Sequence, residues 1–320
     1  MSRTETWEKT RDIMAGIAIT GTLFLASVTM PIISFFSSLF IPLPVMLYRL
    51  KLGRQSGMVV PSAMLVLIAL ILEALSPDFF LFSGLMIFGF FLGEFSESGY
   101  SIEKTILFAC GLILAAGFAG LLFYSMARQV DIIQMVSAYV ERNLVLTVSL
   151  YEKMGMPEEN ISLLNDALPR IQYALVRILP SLLISTALVV GWLNLLIARS
   201  ILMKKGFDLF LGNAPLNKWQ APEKLVWGII GSGLLLILTD GAPWLIGMNG
   251  LITCFTVYMF QGMAVTSFMF EKKKFPLVLK VLLYAIIALN QILLILLVGI
   301  GLFDVWLNFR KLSPAGKTEE

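Results

Sequence analysis

SMARQVDIIQMVSAYVERNLVLTVSLYEKMGMPEENISLLNDALPRIQYALVR, residues 125–177, is the long stretch of this chain that reads neither as a membrane span nor as a short connector. At helical period it places Ile133, Val136, Val140, Leu144, Val148 and Tyr151 on one face and Asp131, Gln134, Glu141, Arg142 and Glu152 on the other. The break Lys153-Met-Gly-Met-Pro157 follows, and a second helical stretch runs from Glu158 to Arg177. Pro157 suits a first helical position, and Glu158 and Glu159 suit the first turn after it. The stretch therefore predicts an amphipathic helical hairpin set between two apolar blocks. Its five basic and six acidic residues nearly cancel, so charge does not direct it to anionic lipid or nucleic acid. Its apolar stripe needs cover from its own second helix or from the membrane surface.

Working outward, both flanking blocks are strongly apolar. Hydrophobic residues make up 58% of the chain and charged residues 14%, with mean hydropathy +0.86. Soluble domains carry about 25% charge, so the fold class is all-α, a polytopic transmembrane helical bundle of eight or nine spans with an extramembrane hairpin. The organisation expected is a single integral membrane domain over 1–312, with 125–177 as the hairpin insert and 313–320 as a polar tail. Spans are expected at Ile13–Met30, Ile32–Tyr48, Gly57–Leu75, Phe79–Gly93, Ile102–Tyr124, Ile178–Ala198, Leu225–Thr239, Trp244–Phe270 and Phe275–Leu302. Pro31 breaks or kinks the path between the first two. Phe79–Gly93 is short of the roughly 20 residues a crossing needs, which points to a re-entrant or locally thinned segment.

If Phe79–Gly93 crosses, basic turns at Arg49/Lys51/Arg54, Arg199–Lys224 and Lys272–Lys274 are separated by even numbers of spans, which places all three in the cytoplasm and the hairpin outside. Arg310 and Lys311, one span beyond Lys272–Lys274, disagree with that parity. The location expected is a bacterial cytoplasmic (inner) membrane, with the lipid bilayer as the first partner. The small net charge of +3 gives no support for nucleic-acid binding.

Catalytic motifs are missing. No glycine-rich turn leads into Gly-Lys-Ser/Thr, so ATP-driven work would need a separate ATPase. The chain has no histidine, which removes a Ser-His-Asp triad, a His-Glu-x-x-His zinc helix and the commonest metal ligand. No metal, no cofactor and no enzymatic activity are expected. Cys110 and Cys254 lie in apolar spans as packing residues. Glu94 and Glu97 read as solvated residues at the membrane boundary or as a cation-binding pair.

Polar side chains deep in apolar runs are the substrate-binding candidates: Asn194, Gln261, Asn290 and Gln291. The competing reading is hydrogen bonding between helices. Glu73 lies near a span end and is expected to snorkel. In the first span Ala15, Ala18, Thr22 and Ala26 form a stripe that lets a helix approach, either another span of this chain or a separate membrane coupling subunit. In the tail, Trp306, Phe309 and Arg310 are expected as interfacial anchors, and an exposed Asp304–Arg310 pair would contribute little.

Several of these residues together carry a resemblance. The Pro42-Leu-Pro44 turn with Tyr48, Arg49 and Gly53, Leu179-Pro180 entering a span after the hairpin, and the closing Phe303-Asp-Val-Trp-Leu-Asn-Phe-Arg310 resemble the YybS-like family of bacterial membrane proteins. That family has no established activity and is distantly similar to the substrate-binding S components of energy-coupling-factor transporters. The resemblance implies a small-molecule-binding or transport-type component without its own ATPase. It also implies that Ala15, Ala18, Thr22 and Ala26 dock a coupling subunit. Against the S-component pattern, this chain is longer, has more spans and carries the 125–177 hairpin. The alternative is a non-transporting scaffold for envelope or division machinery.

Overall fold

The computed structural model describes residues 3–72, 76–204 and 216–311; Glu73, Lys205 and the tail 313–320 lie outside them. All regular structure among the described residues is helical. Six helices are long and apolar enough to cross a membrane: Thr6–Thr29, Ile33–Gly57, Pro77–Glu97, Ile102–Arg128, Glu158–Lys204 and Ala242–Lys272. The pair Leu277–Leu289 and Gln291–Leu307 qualifies as one more only if a 105° bend is taken within a single span. Val59–Ile71 and Leu225–Leu238 are apolar but shorter. A helical membrane protein is thus established, and eight or nine spans is a finer statement that these lengths do not reach.

The chain forms two compact units, residues 1–135 with 186–212, and residues 136–185 with 213–320. In the first unit α1 (Arg3–Thr29) is followed by α2 (Pro31–Phe40) and α3 (Pro42–Gly57). Pro42 and Pro44 lack the N–H groups that would continue the ladder across this joint, and Gly53 at φ +75° bends α3 again. Next come α4 (Val59–Ile71), α5 (Pro77–Glu97) and α6 (Ile102–Arg128). Two sequence expectations change here. Gly57–Leu75 yields only the 13-residue α4, because Leu72 is already extended at ψ 148°. Phe79–Gly93, expected to be short, belongs to the 21-residue α5. Ser76 caps its start by accepting from the Phe79 N–H, and Glu94 and Glu97 stay helical instead of opening a loop. The reason is a partner: Arg49 Nε and Nη2 donate to Glu94 Oε2 at 2.9 and 2.6 Å, and Nη2 reaches Glu97 Oε2 at 2.5 Å.

α7 (Ile132–Lys153), which belongs to the second unit from Val136 on, begins with Asp131 Oδ1 accepting from the Ile133 and Gln134 N–H groups. α8 (Glu158–Lys204) is one 47-residue helix, so the hairpin's second arm and the following span are continuous; its residues contribute to both units. Val140 and Val148 of α7 and Ile161 of α8 are buried, while Ile133 and Tyr151 at the ends of the expected stripe are exposed. Gln172 of α8 donates to Ser137 O and Ser137 Oγ, tying the two arms together. α9 (Leu225–Leu238), α10 (Ala242–Lys272), α11 (Leu277–Leu289) and α12 (Gln291–Leu307) complete this unit. The expected single span Phe275–Leu302 is broken at Asn290, whose backbone is extended and whose Oδ1 accepts from the Ile292 and Leu293 N–H groups to start α12.

Candidate functional site

The second unit holds a buried polar node built on Gln261. α10 and α12 touch backbone to backbone: a Cβ at Gly262 would lie 2.0 Å from the Leu297 carbonyl oxygen, and one at Gly301 would lie 2.0 Å from that of Tyr258. Small residues permit that approach, and it brings Asp304 beside Gln261. Gln261 Nε2 donates to Asp304 Oδ2 at 3.1 Å, and Gln261 Oε1 accepts from the Ala221 N–H at 3.1 Å. α12 ends at Leu307, Asn308 turns the chain back at φ 42°, and Arg310 returns to Asp304 with Nη2 to Oδ2 at 2.6 Å. Asp304 Oδ1 accepts from the Phe309 N–H, closing the turn.

Both charged side chains of this pair are 0% exposed. The tail pair therefore corrects the sequence expectation: it is a buried ion pair, not a weak exposed one. Arg310 is also not an interfacial anchor here.

The node also gathers irregular backbone. Between a short 3-10 turn at Leu216–Lys218 and the start of α9, residues 219–224 are not helical. The Asn217 side chain bonds Glu271 near the end of α10, and Ala221 bonds Gln261. That stretch follows α10 over ten residues, about 15 Å at the helical rise. Gln261 is nine residues from Phe270, so about 14 Å inside the end of an apolar helix. Backbone packed against an apolar helix needs hydrogen-bond partners, and here a side chain supplies them: Arg310 Nη1 donates to the Asn217 and Trp219 carbonyls, both at 2.8 Å. Tyr258, one turn before Gln261, is 0% exposed, and its hydroxyl and Arg310 Nε have no hydrogen-bond partner among the described residues.

The other sequence candidates do different work. Asn194 is fully buried in the first unit, and its Nδ2 donates to the Leu39 carbonyl at 2.8 Å and to the Val190 carbonyl at 2.7 Å. Leu39 lies three residues before Pro42, so the amide binds backbone next to the proline joint. Asn290 spends its side chain on the α12 cap and is exposed, as is Gln291. Gln261 thus meets a buried charged pair, while Asn194 belongs to another unit and Asn290 and Gln291 are at the α11–α12 break. Of the docking stripe, Ala18 and Thr22 are exposed and Ala15 and Ala26 are half-buried. The buried face of α1 runs instead through Gly16, Thr20, Phe24 and Ser27.

Two sets of contacts are not legible in the sequence, and the first makes a buried residue of Arg49, expected as a loop charge. Arg49 is 1% exposed and forms ion pairs with Glu94 and Glu97, with its guanidinium carbon 5.7 Å from the centre of the Phe90 ring. Met46, Arg49 and Gly93 pack so closely that a Cβ at Gly93 would lie 2.8 Å from Arg49 Cγ. A basic residue 45 positions from its acid leaves no local signal. Asn249 of α10 is the second: its Oδ1 accepts from the Ser181 N–H at 2.9 Å and its Nδ2 donates to the Arg177 carbonyl at 3.0 Å. Pro180 was the available signal, since a proline inside a helix frees backbone that a neighbour must satisfy.

Asn194→Leu should separate the roles. It removes the side-chain donor to the Leu39 carbonyl and is expected to cost about 1 kcal/mol, read as a lower Tm of purified protein. Asn290→Leu with Gln291→Leu, at exposed positions, should move Tm less than Asn194→Leu does.

Neither the curated proteins nor the solved structures contain a match to this chain. A family model does match, over residues 18–305, and its description is "Predicted membrane protein (DUF2232)".

Proposed function

We propose that this chain, which belongs to the DUF2232 family of predicted membrane proteins, is a small-molecule-binding or transport-type component of the bacterial cytoplasmic membrane without an ATPase of its own. The observation that carries this reading is the Gln261–Asp304–Arg310 node, where a fully buried ion pair meets non-helical backbone beside an apolar helix. Ionisable pairs inside a membrane are costly and concentrate at substrate and ion pathways. Interrupted and unusually short apolar helices are the corresponding backbone feature in transporters; here α9, with 14 residues, and the bent α11–α12 pair supply it.

Taking the bent pair as one span and counting the two short apolar helices with the six long ones, the proposed topology has nine membrane segments. It sets the turns at Arg54, Arg199–Lys224 and Lys272–Lys274 in the cytoplasm, with the hairpin and Arg310 on the other side. The YybS-like closing motif and the distant likeness to S components favour the same reading, with a separate coupling subunit or ATPase as partner. Ala18 and Thr22, left exposed on α1, are where such a subunit would dock. The scaffold alternative draws on the α7–α8 hairpin as a recruiting arm.

A broad metabolite panel screened by thermal shift on the purified protein in nanodiscs tests the binding reading. At least one metabolite is expected to raise Tm in a saturable way, because ligand that binds only the folded state stabilises it. A flat response across the panel, with recovery of envelope proteins and no ATPase in gentle purification from native membranes, would overturn it in favour of the scaffold.

A further inference from the structure

The 177–181 segment of α8 is where a proline and a foreign amide meet in the helix ladder. Pro180 has no N–H to offer the Val176 carbonyl, and its ring crowds that carbonyl. In an unbroken helix the Ser181 N–H would pair with the Arg177 carbonyl four residues back. Those are the two groups that the Asn249 amide engages, accepting from Ser181 N at 2.9 Å and donating to Arg177 O at 3.0 Å. The ladder therefore lacks the Pro180 bond, and one side chain of α10 engages both the donor and the acceptor of the bond that follows it.

What lies on each side differs. Beyond the gap, Ser181 is fully buried, and Ser185 receives a 2.8 Å hydrogen bond from Thr256 Oγ1 of α10, so this end is fastened to α10 twice. Before the gap, the arm is fastened to α7 through Gln172 and the buried Val140, Val148 and Ile161. Arg177, the last residue of the arm, stacks its guanidinium carbon 3.2 Å from the centre of the Tyr173 ring, within the arm itself. Pro169 also interrupts this arm but is exposed.

We infer that residues 177–181 form a hinge in α8, and that Asn249 is its latch. The α7–α8 hairpin moves as one arm relative to α10; closing forms the Asn249 Nδ2 to Arg177 O bond, and opening breaks it while the Ser181 bond holds. This inference does not depend on what the protein binds. It stands on the ladder geometry alone.

Double electron–electron resonance between spin labels at Asp166→Cys, on the arm, and Asp240→Cys, just before α10, reads the hinge directly in a background with Cys110→Ala and Cys254→Ala. The parent protein should give two distance populations. Asn249→Leu, which removes both hydrogen bonds of the latch, should shift their ratio toward the open one by roughly tenfold. Pro180→Ala restores the missing donor to the helix and should collapse the distribution to a single narrow peak. If Asn249→Leu does not fold, Asn249→Asp, which can accept from Ser181 but cannot donate to Arg177, must show the same shift. A single narrow peak in the parent protein, unchanged in the Pro180 and Asn249 variants, would overturn the hinge.

Discussion

Arg310→Met is expected to cost about 3–5 kcal/mol of stability, among the largest single-residue losses in this protein. The substitution leaves the Asp304 carboxylate fully buried with its guanidinium partner gone, and an uncompensated buried charge is what makes breaking such pairs expensive. It also leaves the Asn217 and Trp219 carbonyls without their donor, so the chain entering α9 should loosen as well. The double variant Asp304→Leu with Arg310→Met should recover most of the loss. Replacing both partners of a buried pair by apolar residues of similar size is often neutral or stabilising. The check is a double-mutant cycle on Tm in one detergent. A coupling near zero would place the pair in solvent-like surroundings and contradict the burial.

The second large effect is steric. Gly262→Val is expected to destabilise by about 3 kcal/mol or more, the upper range for overpacking a well-filled contact. Even the Cβ alone would stand 2.0 Å from the Leu297 carbonyl oxygen, and that atom is backbone, so α12 as a whole must retreat. Retreat of α12 also withdraws Asp304 from Gln261, and the node is lost with the contact. Gly301→Val meets the Tyr258 carbonyl in the same way and should match it, whereas Gly299→Ala, with open space around its Cβ position, should be nearly silent. Parallel thermal unfolding of the three variants reads the contrast.

Hydropathy reads well where one helix answers one apolar run. It placed α6 and α10 within a few residues, and the amphipathic period of 133–151 placed α7 and the face it buries through Val140 and Val148. It reads poorly where a helix boundary depends on a distant partner. The apolar run ends at Gly93, yet α5 continues through Glu94 and Glu97 because Arg49 pairs with both carboxylates. Gly57–Leu75 reads as continuous because nearly all its side chains are apolar, while the backbone leaves the helix at Leu72.

The same limit governs the candidate site. Buried amides could be seen in the sequence, but not the backbone they serve, because that depends on which prolines and loops fold against them. Asn194 serves the Leu39 carbonyl near the Pro42 joint, Asn290 serves the break before α12, and Gln261 serves Ala221 as well as Asp304. Asp304 and Arg310, six residues apart at a chain end, were read as exposed because nothing in composition records that α12 turns back on itself at Asn308.

The central question is whether the node binds a ligand or only holds α9, α10 and α12 together. The most direct measurement takes the Asp304→Leu/Arg310→Met variant, once shown to fold with a Tm close to the parent's, and repeats the metabolite thermal-shift screen on both proteins. The proposed function predicts that whatever stabilises the parent no longer stabilises the variant. Equal stabilisation of parent and variant by the same metabolite would contradict it, and would make the buried pair a structural tie alone.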